Sequence, residues 1–159
     1  MDYHNPVLLK ESVDGLNIQP DGVYVDVTFG GGGHSREILS RLGPSGKLYA
    51  FDQDKDALEN KIDDERFTLI NENFRFLKRF LRFYGHKEVD GILGDFGVSS
   101  HQFDVAERGF STRFEADLDM RMNQKSEFSA FNVVNNYDEK QLRSVLSQYG
   151  ELRAAAGMA

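Results

Sequence analysis

An α/β fold built on a parallel sheet is the architecture this sequence predicts, and three observations predict it. Strand-like apolar runs alternate with helical patterns in the order βαβαβαβ, which favours a parallel sheet with right-handed crossovers. The first run, residues 23–28, empties through Phe29 into four consecutive glycines, Gly30 to Gly33, and a helical pattern starts straight afterwards. The second run ends on Asp52, twenty residues past Gly32. A Cβ-free turn that opens onto a helix N-terminus brings unpaired N–H groups and the positive end of a dipole to one place. A Rossmann-like sheet receives a nucleotide-like cofactor in this way.

The elements follow in order. Pro6 suits a turn or a first helical position, and Val7, Leu8, Val13 and Leu16 are expected to form a short packed helix. Pro20-Asp21-Gly22 marks a turn into the first strand, whose apolar character fits a buried parallel strand. Ile38, Leu39 and Leu42 give helical spacing over 35–42, and Gly43-Pro44 ends it. A second strand is expected over 47–52, a short helix over 54–61 and a third strand over 66–70. A helix over 74–84 places Phe76, Leu77, Phe80, Leu81 and Tyr84 on one side and Arg75, Lys78, Arg79 and Arg82 on the other, with Gly85 as its cap. The fourth strand is read over 89–95. Residues 96–124 read as a long polar loop, of the kind that is functional or disordered. Residues 131–150 read as a helix. Four strands leave the fourth or a neighbour as an uncovered edge, which predicts self-association, as in a homodimer, or marginal stability.

Composition narrows the function. Of 159 residues, 40% are hydrophobic and 12% aromatic, enough for a packed core. No cysteine is present, which excludes disulfides and thiolate metal sites and is compatible with a reducing cytoplasm. His4, His34, His86 and His101 show no ligand spacing, so no metal is expected. No stretch approaches membrane-spanning length, and a soluble protein is expected. The net charge of −7 is the wrong sign for bulk attraction to nucleic acid, so any RNA contact must rest on a local basic patch or on other parts of a protein.

The glycine loop together with Asp52 favours a nucleoside-cofactor site over a merely structural turn, because an acid at that strand end accepts hydrogen bonds from ribose hydroxyls. Asp26 reads equally as a cofactor-loop acid or as a cap on the loop backbone. Asp95 closes the fourth strand, where ligands of open α/β sheets bind, and is preferred as a site residue over an N-cap. The face formed by Arg75, Lys78, Arg79 and Arg82 reads as a solvated helix face ahead of an RNA patch.

Two long motifs carry a family resemblance. The first runs from Tyr24 through Asp26 and Gly30-Gly31-Gly32-Gly33-His34 to Ser35. The second runs from Asp95-Phe96-Gly97-Val98-Ser99-Ser100-His101-Gln102 through Glu107-Arg108-Gly109-Phe110-Ser111 to Leu118-Asp119-Met120-Arg121-Met122. Over residues 4–151 the chain resembles the bacterial 16S ribosomal RNA cytosine-N4-methyltransferases. The resemblance implies a class I methyltransferase fold, S-adenosylmethionine as cofactor, and methylation of a cytosine amine in 16S rRNA of the small ribosomal subunit.

Carried over by position, the family's cofactor loop matches Gly32, Gly33 and His34, and its ribose acid matches Asp52. Phe74 matches the aromatic residue against the adenine, and Asp95 and Gln102 match the remaining contacts. Asp95 is also the catalytic candidate, as acceptor for the reacting amine. Arg108, Arg113 and Arg121 are candidate RNA contacts, balanced against ion pairs to Glu107, Asp117 or Asp119. The resemblance implies a cofactor domain over 1–105 and the beginning of an inserted helical, RNA-holding domain over 106–159. The family continues with further strands and a Phe-His-Ser-Leu-Glu-Asp-Arg motif that this sequence lacks, so the chain is expected to stop inside the insertion. Two other readings stand beside the enzyme: a non-catalytic fragment that keeps the fold, and a nicotinamide-dependent oxidoreductase domain.

Overall fold

The computed structural model of the chain describes residues 6–159. His4, one of the four histidines weighed as metal ligands, lies outside the described residues. The chain divides into two compact units, the first ending at Gly97 and the second spanning Val98–Ala159.

The first unit is the expected parallel sheet. Strands β1 (Val23–Asp26), β2 (Lys47–Phe51), β3 (Phe67–Ile70) and β4 (Gly91–Leu93) lie in the order β3-β2-β1-β4, and every pairing is parallel. Val25 sits opposite Tyr49 on one side and Ile92 on the other. Successive strand side chains alternate between the two faces, as the period of two requires. Tyr24, Leu48, Ala50, Phe67 and Leu93 pack with Val13 of helix α1 (Leu9–Gly15) and with Ile38 and Leu39 of helix α2 (Gly33–Arg41). Val25, Val27, Tyr49, Phe51 and Ile70 face the other way, onto Leu81 of helix α3 (Leu77–Phe83). Helices therefore cover both faces, which explains why these strands read as apolar runs.

Several boundaries differ from the sequence expectation. β1 ends at Asp26 because that side chain turns back into the loop, where its Oδ1 accepts from Thr28 N at 3.0 Å. The expected helix over 54–61 is a 3₁₀ turn, Lys55–Asn60, begun by Asp54 accepting from Asp56 N. Val7 and Leu8 do not pack: both are exposed, and Leu8 takes φ 52° ahead of α1, so only Val13 and Leu16 of that apolar set reach the core.

In the second unit the expected loop is partly helical, and residues 109–124 stay without helix or strand. Helix α4 (Ser100–Asp104) and a 3₁₀ turn (Ala106–Arg108) interrupt 96–124. The single helix expected over 131–150 is two, α5 (Ala130–Asn136) and α6 (Glu139–Gln148), followed by a short α7 (Ala155–Met158). The break falls at Asp138, whose side chain accepts from Gln141 N at 2.8 Å while Gln141 Oε1 accepts from Asp138 N at 3.0 Å. That reciprocal cap satisfies two helix-end donors and fixes a new start.

Ahead of β3, Arg66 grips the Asp64 carboxylate with Nη2 at 2.6 Å and Nε at 2.9 Å, and holds its pKa down from 3.8 to about 2. A folded-state value below the unfolded one makes the pair stabilising above about pH 4, and this is lost as pH falls through 2. The pair is partly solvated, so its worth is about 1 kcal/mol rather than the full shift. Urea unfolding of Asp64→Asn should fall short of the parent by that amount at pH 6, with the difference shrinking as pH approaches 2 and vanishing below it.

Candidate functional site

The sheet's order reverses at β1: β2 and β3 lie to one side and β4 to the other. From β1 the chain steps outward through β2 to β3, then returns across to β4 on the other side of β1, and open sheets bind ligands beyond the carboxyl ends of the strands at such a reversal. The glycine loop, Asp52 and Asp95 all occupy that rim. Asp52 Oδ2 accepts from Gly30 N at 2.8 Å, which joins the end of β2 to the loop after β1. Its Oδ1 accepts from Asp54 N at 2.9 Å. Asp95 N donates to Thr28 Oγ1 at 2.8 Å, which joins the end of β4 to the same loop. The bend, the acid closing the second strand and the acid closing the fourth are thus gathered at one end of the sheet.

The loop is held mostly by its carbonyls. Asn60 Nδ2 donates to Gly30 O at 3.0 Å and Arg36 Nη1 to Gly31 O at 2.7 Å. The amides of Gly31, Gly33 and His34 have no hydrogen-bond partner among the described residues, and they lie at the positive end of α2. Gly32 has φ 76°, and a Cβ there would come within 2.9 Å of the Phe29 ring. A Cβ on Gly33 would collide with the Pro6 ring, whereas one on Gly30 meets nothing nearer than 4.0 Å. Gly32 and Gly33 thus serve the protein's own packing, and Gly30 borders open space.

Asp26, which had two readings, is fully buried beneath the loop. Its Oδ2 accepts from Ser35 Oγ at 2.7 Å and its Oδ1 from Thr28 N, so one carboxylate ties β1, the loop and α2 together. Burial pushes its pKa up, and the bonds from Ser35 and Thr28 oppose the shift. This is the loop-capping role. Asp26→Ala leaves two donors without acceptors, and a stability loss of about 2–4 kcal/mol is expected in urea unfolding. Asp26→Asn retains an acceptor for Thr28 and should lose less than half as much.

His34, in the first turn of α2, is 6% exposed, and its Nε2 is a buried polar atom without a partner among the described residues. Phe74 opens the 3₁₀ turn Phe74–Phe76 after β3 and lies 5.6 Å, ring centre to ring centre, from Phe96 after β4. Both rings are substantially exposed at the rim. Asp95 is exposed, and its carboxylate accepts no hydrogen bond from a described residue. An adenosyl group fits this donor set: unsatisfied amides, an acid joined to the loop, a pair of exposed rings and an open border at Gly30. Thr28, Phe96 and Asn60 escaped the sequence reading because each acts through a tertiary contact that no local pattern announces.

The remaining candidates lie in the second unit. Gln102 is buried and closes the start of α4, where its Oε1 accepts from Ser99 N at 3.1 Å and Ser99 Oγ accepts from Gln102 N. The three arginines are each engaged within that unit. Arg108 is 5% exposed and donates to Arg121 O at 2.9 Å. Arg121 pairs with Asp119 at 2.6 Å, one of the acids weighed for it, and holds that carboxyl below its usual range. Arg113 pairs instead with Asp104 at 2.8 Å. No cluster of three potential metal ligands occurs among the described residues, and no helix there is long and apolar enough to cross a membrane.

Relatives share this sequence end to end. The protein named Ribosomal RNA small subunit methyltransferase H of Christiangramia forsetii is 74% identical over all of this chain and 53% of its own length. Its namesake in Flavobacterium johnsoniae is 72% identical, again over all of this chain and 53% of its own. That of Bacteroides thetaiotaomicron is 57% identical over all of this chain and 52% of its own. The chain spans about half the length of the curated relatives it matches. The sequence model of the MraW methylase family matches residues 1–159 throughout, and with the rim geometry above this establishes that the chain belongs to that family.

Proposed function

We propose that the chain is the cofactor-binding part of an S-adenosylmethionine-dependent methyltransferase acting on the N4 amine of a cytosine in 16S rRNA of the small ribosomal subunit, in the cytoplasm. The observation that carries this is the 2.8 Å bond from Gly30 N to Asp52 Oδ2, which joins the glycine loop to the strand-end acid at one rim of the sheet. The names of the relatives support an rRNA substrate.

When bound, S-adenosylmethionine supplies an electrophilic methyl group on sulfonium sulfur. The amides of Gly31, Gly33 and His34, unpartnered among the described residues, would with the N-terminus of α2 take the carboxylate end of the cofactor, and Gly32 keeps the loop in its bent shape. Asp52 would accept from the ribose hydroxyls. Phe74, with Phe96 beside it, would lie against the adenine, while Gln102 matches the family's remaining contact by sequence position alone. The cytosine amine is a poor nucleophile because its lone pair is delocalised into the ring. An acceptor on its N–H concentrates electron density on nitrogen and then removes the proton, and the exposed Asp95 carboxylate is that acceptor. Arg113 and Arg121, whose ion pairs are partly solvated, are the arginines kept for RNA phosphates, while buried Arg108 serves the packing of its own unit.

Titration calorimetry with S-adenosylhomocysteine and with NAD separates this reading from an oxidoreductase domain. Heat with the former alone is expected, and heat with NAD alone overturns the proposal. Transfer of labelled methyl from S-adenosylmethionine to small ribosomal subunits then separates an active chain from a non-catalytic fragment.

A further inference from the structure

We propose that the outer face of α3 and the segment that follows it form a second site, which binds the sugar–phosphate backbone of single-stranded RNA at the end of the sheet opposite the cofactor rim. Residues 77–87 hold four cations, Lys78, Arg79, Arg82 and Lys87, and no acid, in a chain whose net charge is −7. All four are exposed. Between α3 and the approach to β4 lies a cavity of about 320 Å³, lined in part by Lys78, Arg82, His86, Lys87, Glu88 and Val89. Residues 86–89 immediately precede β4, so the cavity flanks the amino end of that strand, whereas Asp95 and the glycine loop lie past the carboxyl ends.

The ion-pair pattern sets this face apart. Arg41, Arg66, Arg113 and Arg121 each pair with a carboxylate. Lys78, Arg79, Arg82 and Lys87 pair with none among the described residues, and Arg75 instead covers the Phe76 ring at 4.5 Å. Lys78 and Arg82 stand one helical turn apart, where like charges repel. A polyanion relieves that repulsion. The floor is firm, because Tyr49 OH and His86 Nε2 are hydrogen-bonded at 2.9 Å.

An aromatic platform completes the surface. Phe83 is 80% exposed next to Arg82 and meets Tyr84 edge-on at 5.2 Å. Unpaired bases stack on such rings while cations track the phosphates, and this combination favours single-stranded RNA over a simple phosphate. The choice of RNA rests on the rRNA reading above, while the unpaired cationic face stands without it.

The test is fluorescence anisotropy of a fluorescein-labelled, unstructured RNA of about 15 nucleotides, titrated with the whole chain across a series of salt concentrations. The variant Lys78→Gln/Arg82→Gln/Lys87→Gln is expected to bind at least about tenfold more weakly at low salt, with the slope of log K against log salt reduced by about 2, as three lost phosphate contacts on a single strand require. Phe83→Ala is expected to lose about tenfold with the slope unchanged. Parental affinity and slope in the triple variant would overturn the proposal. So would a chain whose self-association, followed by light scattering, is abolished by Phe83→Ala while RNA binding stays intact, since the ring would then belong to a protein interface. S-adenosylhomocysteine heats run in parallel confirm that the variants are folded. Absence of that heat in the parent sinks the methyltransferase reading without deciding the RNA result.

Discussion

Asp52→Ala is expected to weaken S-adenosylhomocysteine binding by about a hundredfold. Hydrogen bonds to a charged acceptor contribute roughly 1.5–3 kcal/mol each, and tenfold in affinity corresponds to about 1.4 kcal/mol. The carboxylate accepts from the amides of Gly30 and Asp54, and a carboxylate offers about four acceptor positions in all, which ribose hydroxyls would share. The alanine also frees Gly30 from the end of β2, so part of the loss comes from a loop that must be ordered on binding. Asp52→Asn separates the two contributions. It keeps an acceptor for Gly30 N but no charge, and should lose about tenfold. Calorimetry measures both, and affinity unchanged in the alanine variant would remove Asp52 from the site.

Gly109→Ala is expected to cost the second unit about 3 kcal/mol. Gly109 has φ 69°, and a Cβ there would lie 2.5 Å from Asp117 O and 2.7 Å from Asp119 N. A left-handed L-residue costs roughly 1–2 kcal/mol, and forcing atoms into a filled space adds about 1–3 more. Backbone, unlike the tip of a side chain, has little room to withdraw, and the neighbouring Met120 N–Arg108 O bond at 3.0 Å would be displaced with it. Gly85→Ala supplies the control: φ is 87° but nothing lies within 4 Å of the new Cβ, so only the conformational cost, about 1 kcal/mol, should appear. Amide exchange read over 98–159 for Gly109→Ala and over 6–97 for Gly85→Ala reports the two costs.

The sheet was legible because its signal is local. Val25, Leu48, Tyr49, Ala50 and Phe51 are buried, and strands buried on both faces must be apolar along their length. The glycine loop and its two acids were legible because strand ends on one rim follow from parallel order alone. In the second unit the helical character of 131–150 was legible, but the break within it and the short helix at 100–104 are written only in caps. Ser99-x-x-Gln102 and Asp138-x-x-Gln141 are capping-box spacings that stand in the sequence, but apolar periodicity does not register them. Val7 and Leu8 misled for the opposite reason: hydrophobicity alone does not bury a residue lying before a helix. Thr28 and Phe96 were beyond reach, because a hydroxyl bonded to a backbone 67 positions away and a ring paired 22 positions back leave no local trace.

β4 is three residues long and is paired on one side only. Asp95 hangs two residues beyond it, steadied by the Thr28 hydroxyl. The carboxylate assigned to the chemistry therefore rides on the sheet's most lightly tethered ribbon, whose amides should be among the first of the sheet to take up deuterium. Any strand that zips along the outer margin of β4 would damp that breathing, and in doing so would set how sharply the acid is aimed at an incoming amine.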